Sequence, residues 1–190
     1  DRPDDPVARH MLAACSGEGA PDRAPDDYVQ ATFDDFAESF DQKLAELGYR
    51  APQLVADAIA ATGLVPEGRL AVLDAGCGTG LCGPRLAPYA ARLVGVDLSG
   101  AMLDKARQRC AYHALVREEL TGHLEAHPHA YDLVVSADTL VYFGALERVV
   151  AAVATALRPG GRFVFTVEEL AGDAGEGYRL EPHGRYAHRA

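Results

Sequence analysis

After residue 66 the chain alternates between short apolar runs and segments whose apolar residues recur at helical spacing. The stretches "RLAVLDAG", "RLVGVDLS", "HALVREEL", "YDLVVSAD" and "RFVFTVEE" read as strands, the third weaker than the others. Between them, "PRLAPYA" reads as a short helix and "SGAMLDKARQRC" as a helix with Ser99 at its N-cap. In "ALERVVAAVATAL", Leu146, Val149, Val150, Val153 and Leu157 recur at helical spacing, and "RPGG" reads as a turn. Apolar strands separated by helices predict an α/β domain, a doubly wound and mainly parallel sheet covered on both faces. Such sheets bind ligands beyond the C-terminal ends of their strands, where Asp74, Asp97 and Glu168 are expected to stand.

Ahead of the sheet the pattern is helical. In "DDYVQATFDDFAESFDQKLAEL", Tyr28, Phe33, Phe36, Phe40, Leu44 and Leu47 fall on one apolar stripe, in one helix or two, stopped by Gly48. "APQLVADAIAATG" gives a further helix with Pro52 near its start and Gly63 at its end. Residues 26–66 therefore form an N-terminal helical lid, whose aromatic stripe either covers a ligand or joins the core. Residues 1–25 are rich in Pro, Asp, Gly and Ala. There "PVARHMLAAC" suits one short helix, with Val7, Met11 and Leu12 on one side, and "SGEGAPDRAP" a linker.

Composition narrows the classes. The 190 residues suffice for one domain with a sizeable core and a small appendage. A formal net charge of −10 argues against a general nucleic-acid partner, which meets a basic face. No apolar run approaches a membrane span and no signal peptide opens the chain, so no membrane partner and a cytoplasmic place are expected. The four cysteines, Cys15, Cys77, Cys82 and Cys110, form no C-x-x-C pair and are expected to stay reduced. The chain begins without Met, which reads as a fragment or a processed form.

Candidate chemistry concentrates in "VLDAGCGTGLCG", residues 72–83. From Gly78 to Gly83 it spells G-x-G-x-x-G, a loop that cradles a dinucleotide pyrophosphate. From Asp74 to Gly80 it spells D-x-G-x-G-x-G, a loop for a nucleoside that carries an amino acid. A pyrophosphate would face the Asp74 carboxylate at close range, and like charges in a partly desolvated cleft repel strongly. An ammonium would be attracted. S-adenosyl-L-methionine has an ammonium and a sulfonium and no phosphate, and bare glycine backbone lets such a ligand lie close. Asp97, about twenty residues past the loop, suits the ribose hydroxyls of either ligand.

Four stretches in order resemble class I S-adenosylmethionine-dependent methyltransferases: "VLDAGCGTG", "VGVDLSGAML", "YDLVVSADTLVYF" and "LRPGGRFVFTVE". The resemblance runs from residue 70 to about 168, more than half the chain. It implies a Rossmann-like methyltransferase domain over 67–190, S-adenosyl-L-methionine as cofactor, and in-line methyl transfer. It implies that Gly76, Cys77, Gly78 and Gly80 turn beneath the methionine part, that Asp74 meets the ammonium and that Asp97 takes both ribose hydroxyls. Glu119 would accept from the adenine amino group with Leu120 beside it; Glu118 is the rival if the weak strand slips by one. Leu98 and Met102 either line the adenine or belong to the core, and Ala137 and Asp138 follow the fourth strand where cofactor and acceptor meet. In the lid, Arg50 is the cation expected at the cofactor carboxylate and Tyr49 the shield of the sulfonium.

A narrower resemblance lies in "FDDFAESFDQKLAELGYRAP" and "GEGYRLEPHGRYAH", similar to bacterial methyltransferases with tetratricopeptide repeats upstream. It implies that residues 1–25 are a linker or the end of such an array, with a repeat domain as partner. Those proteins continue with a helix and a last antiparallel strand pair, so C-terminal strands are expected to be missing after Ala190.

The acceptor is not written in the motifs. A small molecule or a protein side chain fits, and no "NPPY"-type run follows the fourth strand to mark methylation of base amino groups. Two alternatives stand beside a methyltransferase: a cofactor-binding module without turnover, and a nicotinamide-dependent oxidoreductase. No catalytic residue stands out. Tyr142 either packs or orients an acceptor. In the tail, Tyr178, Arg179, His183, Arg185, Tyr186 and His188 interleave cations with aromatics, as an acceptor contact or a solvated loop. His127 and His129 have metal-like spacing but no acid or Cys nearby in sequence, and read as a loop without metal.

Overall fold

The computed structural model describes residues 5–170 and 177–189. Residues 1–4, Ala190, and the 175–176 part of the C-terminal resemblance lie outside the described residues.

The sheet is the one the apolar runs predict. Strands β1 (Leu70–Ala75), β2 (Ala90–Asp97), β3 (Ala114–Arg117), β4 (Tyr131–Ser136) and β5 (Leu157–Phe165) lie in the order β3-β2-β1-β4-β5. Every neighbouring pair is parallel. Helices α1 (Pro6–Ser16), α2 (Asp26–Phe36), α3 (Phe40–Glu46) and α4 (Ala51–Ala61) precede the sheet. Helices α5 (Gly83–Leu86), α6 (Gly100–Gln108), α7 (Leu120–Ala126) and α8 (Glu147–Ala156) alternate with its strands.

Both faces are covered because successive strand residues point to opposite sides. Leu73, Val94, Val96 and Val134 pack with Leu124 of α7 and Val149 and Val153 of α8. Val72, Leu93, Leu133 and Val135 pack with Val55 and Ile59 of α4 and Leu86 of α5. Ile59, Leu73, Leu86, Leu93 and Leu133 are wholly buried, each stabilising the fold by about 1.5–3 kcal/mol. Strand order reverses between β1 and β4, so a crevice opens beyond their C-terminal ends. Ser136 Oγ spans its floor, donating to the Ala75 carbonyl at 3.1 Å.

Several boundaries differ from the sequence reading. β5 begins at Leu157, so "RPGG" lies inside the strand, which bulges where Tyr131 pairs with Leu157 and Leu133 with Arg162. β5 stops at Phe165, and Glu168 falls in a second sheet, not at the end of the fifth strand. β3 stops at Arg117, leaving Glu118 and Glu119 in the turn to α7, a helix the periodicity did not announce. The aromatic stripe is split between α2 and α3, with Phe36 and Leu47 left exposed.

The N-terminal and C-terminal segments form one unit. β6 (Glu168–Glu169), β7 (Tyr178–Leu180) and β8 (Tyr186–His188) make a small sheet in the order β6-β8-β7. It shares a core with α1 and α2 through Ala14, Tyr28, Leu180 and Tyr186. His10 stacks on Tyr28 at 3.9 Å and shares a hydrogen bond with the Gly184 carbonyl at 2.9 Å, so α1 is docked to the tail; Leu12 points away, 70% exposed. Tyr186 is wholly buried and donates to the Pro21 carbonyl at 2.6 Å. Tyr178 donates to Asp22, and His188 shares a hydrogen bond with the Phe143 carbonyl. Tyr186 and His188 are therefore buried in the fold rather than part of a solvated loop, whereas Arg179 and His183 stay exposed.

Candidate functional site

A cavity open to solvent occupies the crevice. The strand ends contribute Asp74, Val96 and Asp97, the turn after β4 Ala137 and Asp138, the glycine loop Gly76 to Thr79, and α2, α3 and the turn after them Phe33, Phe40, Leu44 and Tyr49. Leu98, Met102, Glu118, Glu119 and Leu120 close the side beyond β2 and β3. Nearly all the cofactor-site candidates from the sequence therefore converge on one space. Gly80 and Arg50 are not among the lining residues. Arg50 is exposed at the N-terminal end of α4, and its expected approach to the crevice is not seen; Tyr49, one position earlier, faces inward instead.

The loop glycines divide into two kinds. Gly76 and Gly80 have φ of +77° and +81°. A Cβ on Gly76 would meet Thr139 Oγ1 at 2.1 Å, and one on Gly80 would meet the Tyr112 ring at 2.9 Å. Both are bare because protein fills the space. A Cβ on Gly78 would meet nothing within 4 Å. Its missing side chain leaves room beside Asp97, whose Oδ2 accepts the Gly78 N–H at 2.8 Å.

Asp97 ends β2, and its other oxygen accepts the Ser99 N–H at 2.9 Å. Burial raises its pKa against these hydrogen bonds, with Asp34 adding to the rise. Ser99 is the N-cap of α6 as expected, accepting from the Met102 N–H at 3.1 Å. Asp74, only 1% exposed, accepts from the Tyr112 hydroxyl at 2.6 Å. Burial pushes its carboxyl up to about 7; the Tyr112 hydrogen bond opposes the rise and Asp97 adds to it.

Glu119 is the N-cap of α7, accepting from the N–H groups of Thr121 and Gly122 at 3.0 and 2.8 Å. Burial opposes its ionisation, yet these donors together outweigh it and hold the carboxyl below the usual range. Arg23 lies 3.4 Å from Glu119 and also pairs with Asp26. Glu118 instead shares a hydrogen bond with His123 at 2.7 Å. His127 and His129 turn Nδ1 to the carbonyls of His123 and Leu157.

The lid is tied down by acids that the sequence reading did not single out. Asp34 accepts from Ser99 Oγ at 2.5 Å, Glu38 pairs with Lys105 at 2.8 Å, and Asp41 takes both the Thr79 hydroxyl and Arg109. Their spacing, near three and four residues, puts them along one side of the lid, a stripe legible in the sequence. On the far side of the cavity, Tyr142 meets Phe33 edge to face at 5.4 Å. Burial raises the hydroxyls of both Tyr142 and Tyr49, and Asp138 beside Tyr49 raises that one further. Neither tyrosine is a base near neutral pH; each is a proton donor. Arg185 also lines the cavity and is paired with Glu168. Among the described residues no cluster of His, Cys, Asp and Glu fits a metal ion, and no helix is long and apolar enough to cross a membrane.

The chain is similar in sequence and fold to known proteins. A family described as "Methyltransferase domain" matches residues 72–161. The ubiquinone biosynthesis O-methyltransferase of Sodalis glossinidius is 35% identical over 102 residues, 50% of this chain and 40% of that protein. Its counterpart in Pectobacterium carotovorum is 34% identical over 103 residues, 50% of this chain and 41% of that one. The chain thus spans less than half the length of these curated relatives. The structure of an S-adenosylmethionine-dependent methyltransferase from Mesorhizobium loti has a TM-score of 0.50 at 31% identity, covering 69% of this chain and 62% of that one. The DhpI–SAH complex, with a TM-score of 0.63 at 20% identity, covers 85% of this chain and 79% of that one and shares the fold. Residues 72–161 thus match a methyltransferase domain, and the chain is similar to S-adenosylmethionine-dependent methyltransferases.

Proposed function

We propose that the cavity binds S-adenosyl-L-methionine and that the protein transfers its methyl group to a small-molecule or protein acceptor. The carrying observation is Gly78: in a loop whose other positive-φ glycines make room for protein, it alone opens on empty space, directly beside Asp97. The donor set fits the group. Asp97 retains lone pairs for ribose hydroxyls beyond the two backbone N–H groups it accepts, and Asp74 presents a carboxylate to an ammonium. Leu98, Met102 and Leu120 give an apolar wall for adenine, with Glu119 and the backbone of Ala137 at its edges. Cys77 is buried in the loop and contributes shape. Arg50, exposed outside the lining, is left out of the site.

Charge supports a cationic ligand over a dinucleotide. The lining holds the acids Asp74, Asp97, Glu118, Glu119 and Asp138, while its two arginines, Arg23 and Arg185, are already paired with acids. When bound, the cofactor supplies a methyl group on a sulfonium, an electrophile that asks no nucleophile of the protein. The chain's own residues align the partners and exclude water, which can lower a barrier by about 7–11 kcal/mol. Phe33, Phe40, Leu44 and Tyr49 form the water-excluding roof. Tyr142, Tyr49 and Asp138 line the acceptor side, where the Tyr49 hydroxyl faces Asp138.

The same reading includes a cytoplasmic place, supported by the four free cysteines, and an upstream repeat array, supported by the "FDDFAESFDQKLAELGYRAP" resemblance. The test is transfer of a labelled methyl group from S-adenosyl-L-methionine to metabolites and lysate. Labelled product that needs Asp97 supports the reading. Binding of S-adenosylhomocysteine with no transfer to any fraction reduces the protein to a binding module.

A further inference from the structure

Three glycines around the loop make room for one side chain that takes no part in the motif. A Cβ on Gly80, Gly83 or Gly95 would meet the Tyr112 ring at 2.9, 2.8 and 3.0 Å. Gly80 and Gly83 are the second and third glycines of the G-x-G-x-x-G pattern, and Gly95 lies in β2. The ring is thus seated between the loop and β2, packed against the core of the α4 face. Its hydroxyl reaches the Asp74 carboxylate at 2.6 Å. The glycine pattern that elsewhere lets a ligand touch bare backbone here admits a phenol that grips an acid.

We infer that Tyr112 is a positioning residue for the cofactor's amino-acid end, holding Asp74 in the ionised, inward-facing form that receives an ammonium. The inference rests on the assignment of the cavity to S-adenosyl-L-methionine. The groups facing Asp74 are Tyr112 from the segment before β3, Asp97 at the end of β2, Cys77 and Cys82 in the loop, and Tyr49 from the lid. None is a cation. Burial and Asp97 both favour the protonated acid, and the Tyr112 hydroxyl is the side-chain donor that opposes them. Without that donor the acid gains its proton at higher pH and loses its charge for the ligand.

The experiment is calorimetric binding from about pH 6 to about pH 8.5, across the range in which a carboxyl raised this far titrates. Two probes are used: S-adenosylhomocysteine, which has the ammonium, and 5′-methylthioadenosine, which lacks the amino-acid end. In the parent, S-adenosylhomocysteine tightens as pH rises through Asp74. In Tyr112→Phe, which keeps the ring, it is about five- to tenfold weaker than in the parent near the acid end, and the gap closes to about twofold at the alkaline end. Methylthioadenosine binds the two proteins alike throughout. In an Asp74→Asn background, Tyr112→Phe costs nothing further, which holds even if the single variant is less stable. Parallel pH profiles for parent and Tyr112→Phe, an equal loss for both probes, or a further loss in the Asp74→Asn background overturns the inference. A parent that binds neither probe at any pH instead removes the cofactor assignment itself.

Discussion

Ser99 Oγ does two things: it accepts the Met102 N–H that caps α6, and it donates to Asp34 of α2 at 2.5 Å. The residue that starts the helix beyond the cofactor strand is thus also a fastening for the lid. Asp34→Ala is expected to lower stability by about 1 kcal/mol, the net worth of one such hydrogen bond. Hydrogen exchange in that variant should quicken across α2 and α3 while β1 and β2 keep their protection. Unchanged exchange across the lid would mean that the aromatic packing holds it alone.

The loop glycines should separate by variant. Gly76→Ala drives a methyl group into Thr139 at a left-handed backbone position, and the expected cost is about 3 kcal/mol or more. Gly78→Ala meets no atom and should lose only the cost of a left-handed alanine, about 1–2 kcal/mol. It should still bind S-adenosylhomocysteine more weakly, because the added methyl enters ligand space. Thermal melts rank the two, and a Gly78→Ala protein that binds as tightly as the parent would contradict the cradle.

What was legible in the sequence was whatever the backbone pattern carries. Asp74 and Asp97 were readable because strand ends follow from apolar runs, and the glycines because positive φ leaves few other residues to choose. Tyr112 was not readable, because its contact with Asp74 spans 38 positions and its own surroundings, "RCAYHAL", look like a loop. α7 escaped notice because it is a seven-residue helix with Gly122 inside it, too short for a periodic signal. The burial of the tail was not readable, because Tyr186 and His188 find their partners, the Pro21 and Phe143 carbonyls, only in the folded chain. Arg50 looked well placed on sequence adjacency alone, but the start of α4 turns it outward.

Asp74 also links stability to pH. Its carboxyl is raised to about 7 in the folded chain, above its ordinary value, so the folded state binds this proton more tightly than the unfolded state does. The contribution is fully present below about pH 4 and is lost as pH rises through about 7, on the order of a few kcal/mol in all. Asp97 is raised too and acts in the same direction. Asp74→Asn, which does not titrate, should therefore melt like the parent below about pH 4 and above it near pH 8. Denaturation curves of both proteins across that interval check the sign. A variant that loses stability on the alkaline side would show that the ionised acid stabilises the fold.

The ribose assignment rests on Asp97. Asp97→Ala removes a charged acceptor and should weaken S-adenosylhomocysteine by about 1.5–3 kcal/mol. It also frees the Gly78 and Ser99 N–H groups, so the folded state must be confirmed by circular dichroism before the affinity is compared. An intact Asp97→Ala protein with parental affinity would remove Asp97 from the site.

The central claim is that this glycine loop serves a cationic nucleoside and not a dinucleotide. Isothermal titration of the unmodified chain with S-adenosylhomocysteine and, separately, with NAD tests it directly. The account predicts one S-adenosylhomocysteine bound per chain with micromolar affinity, and no measurable heat with NAD. Micromolar or tighter NAD binding, or no binding of S-adenosylhomocysteine, would contradict it.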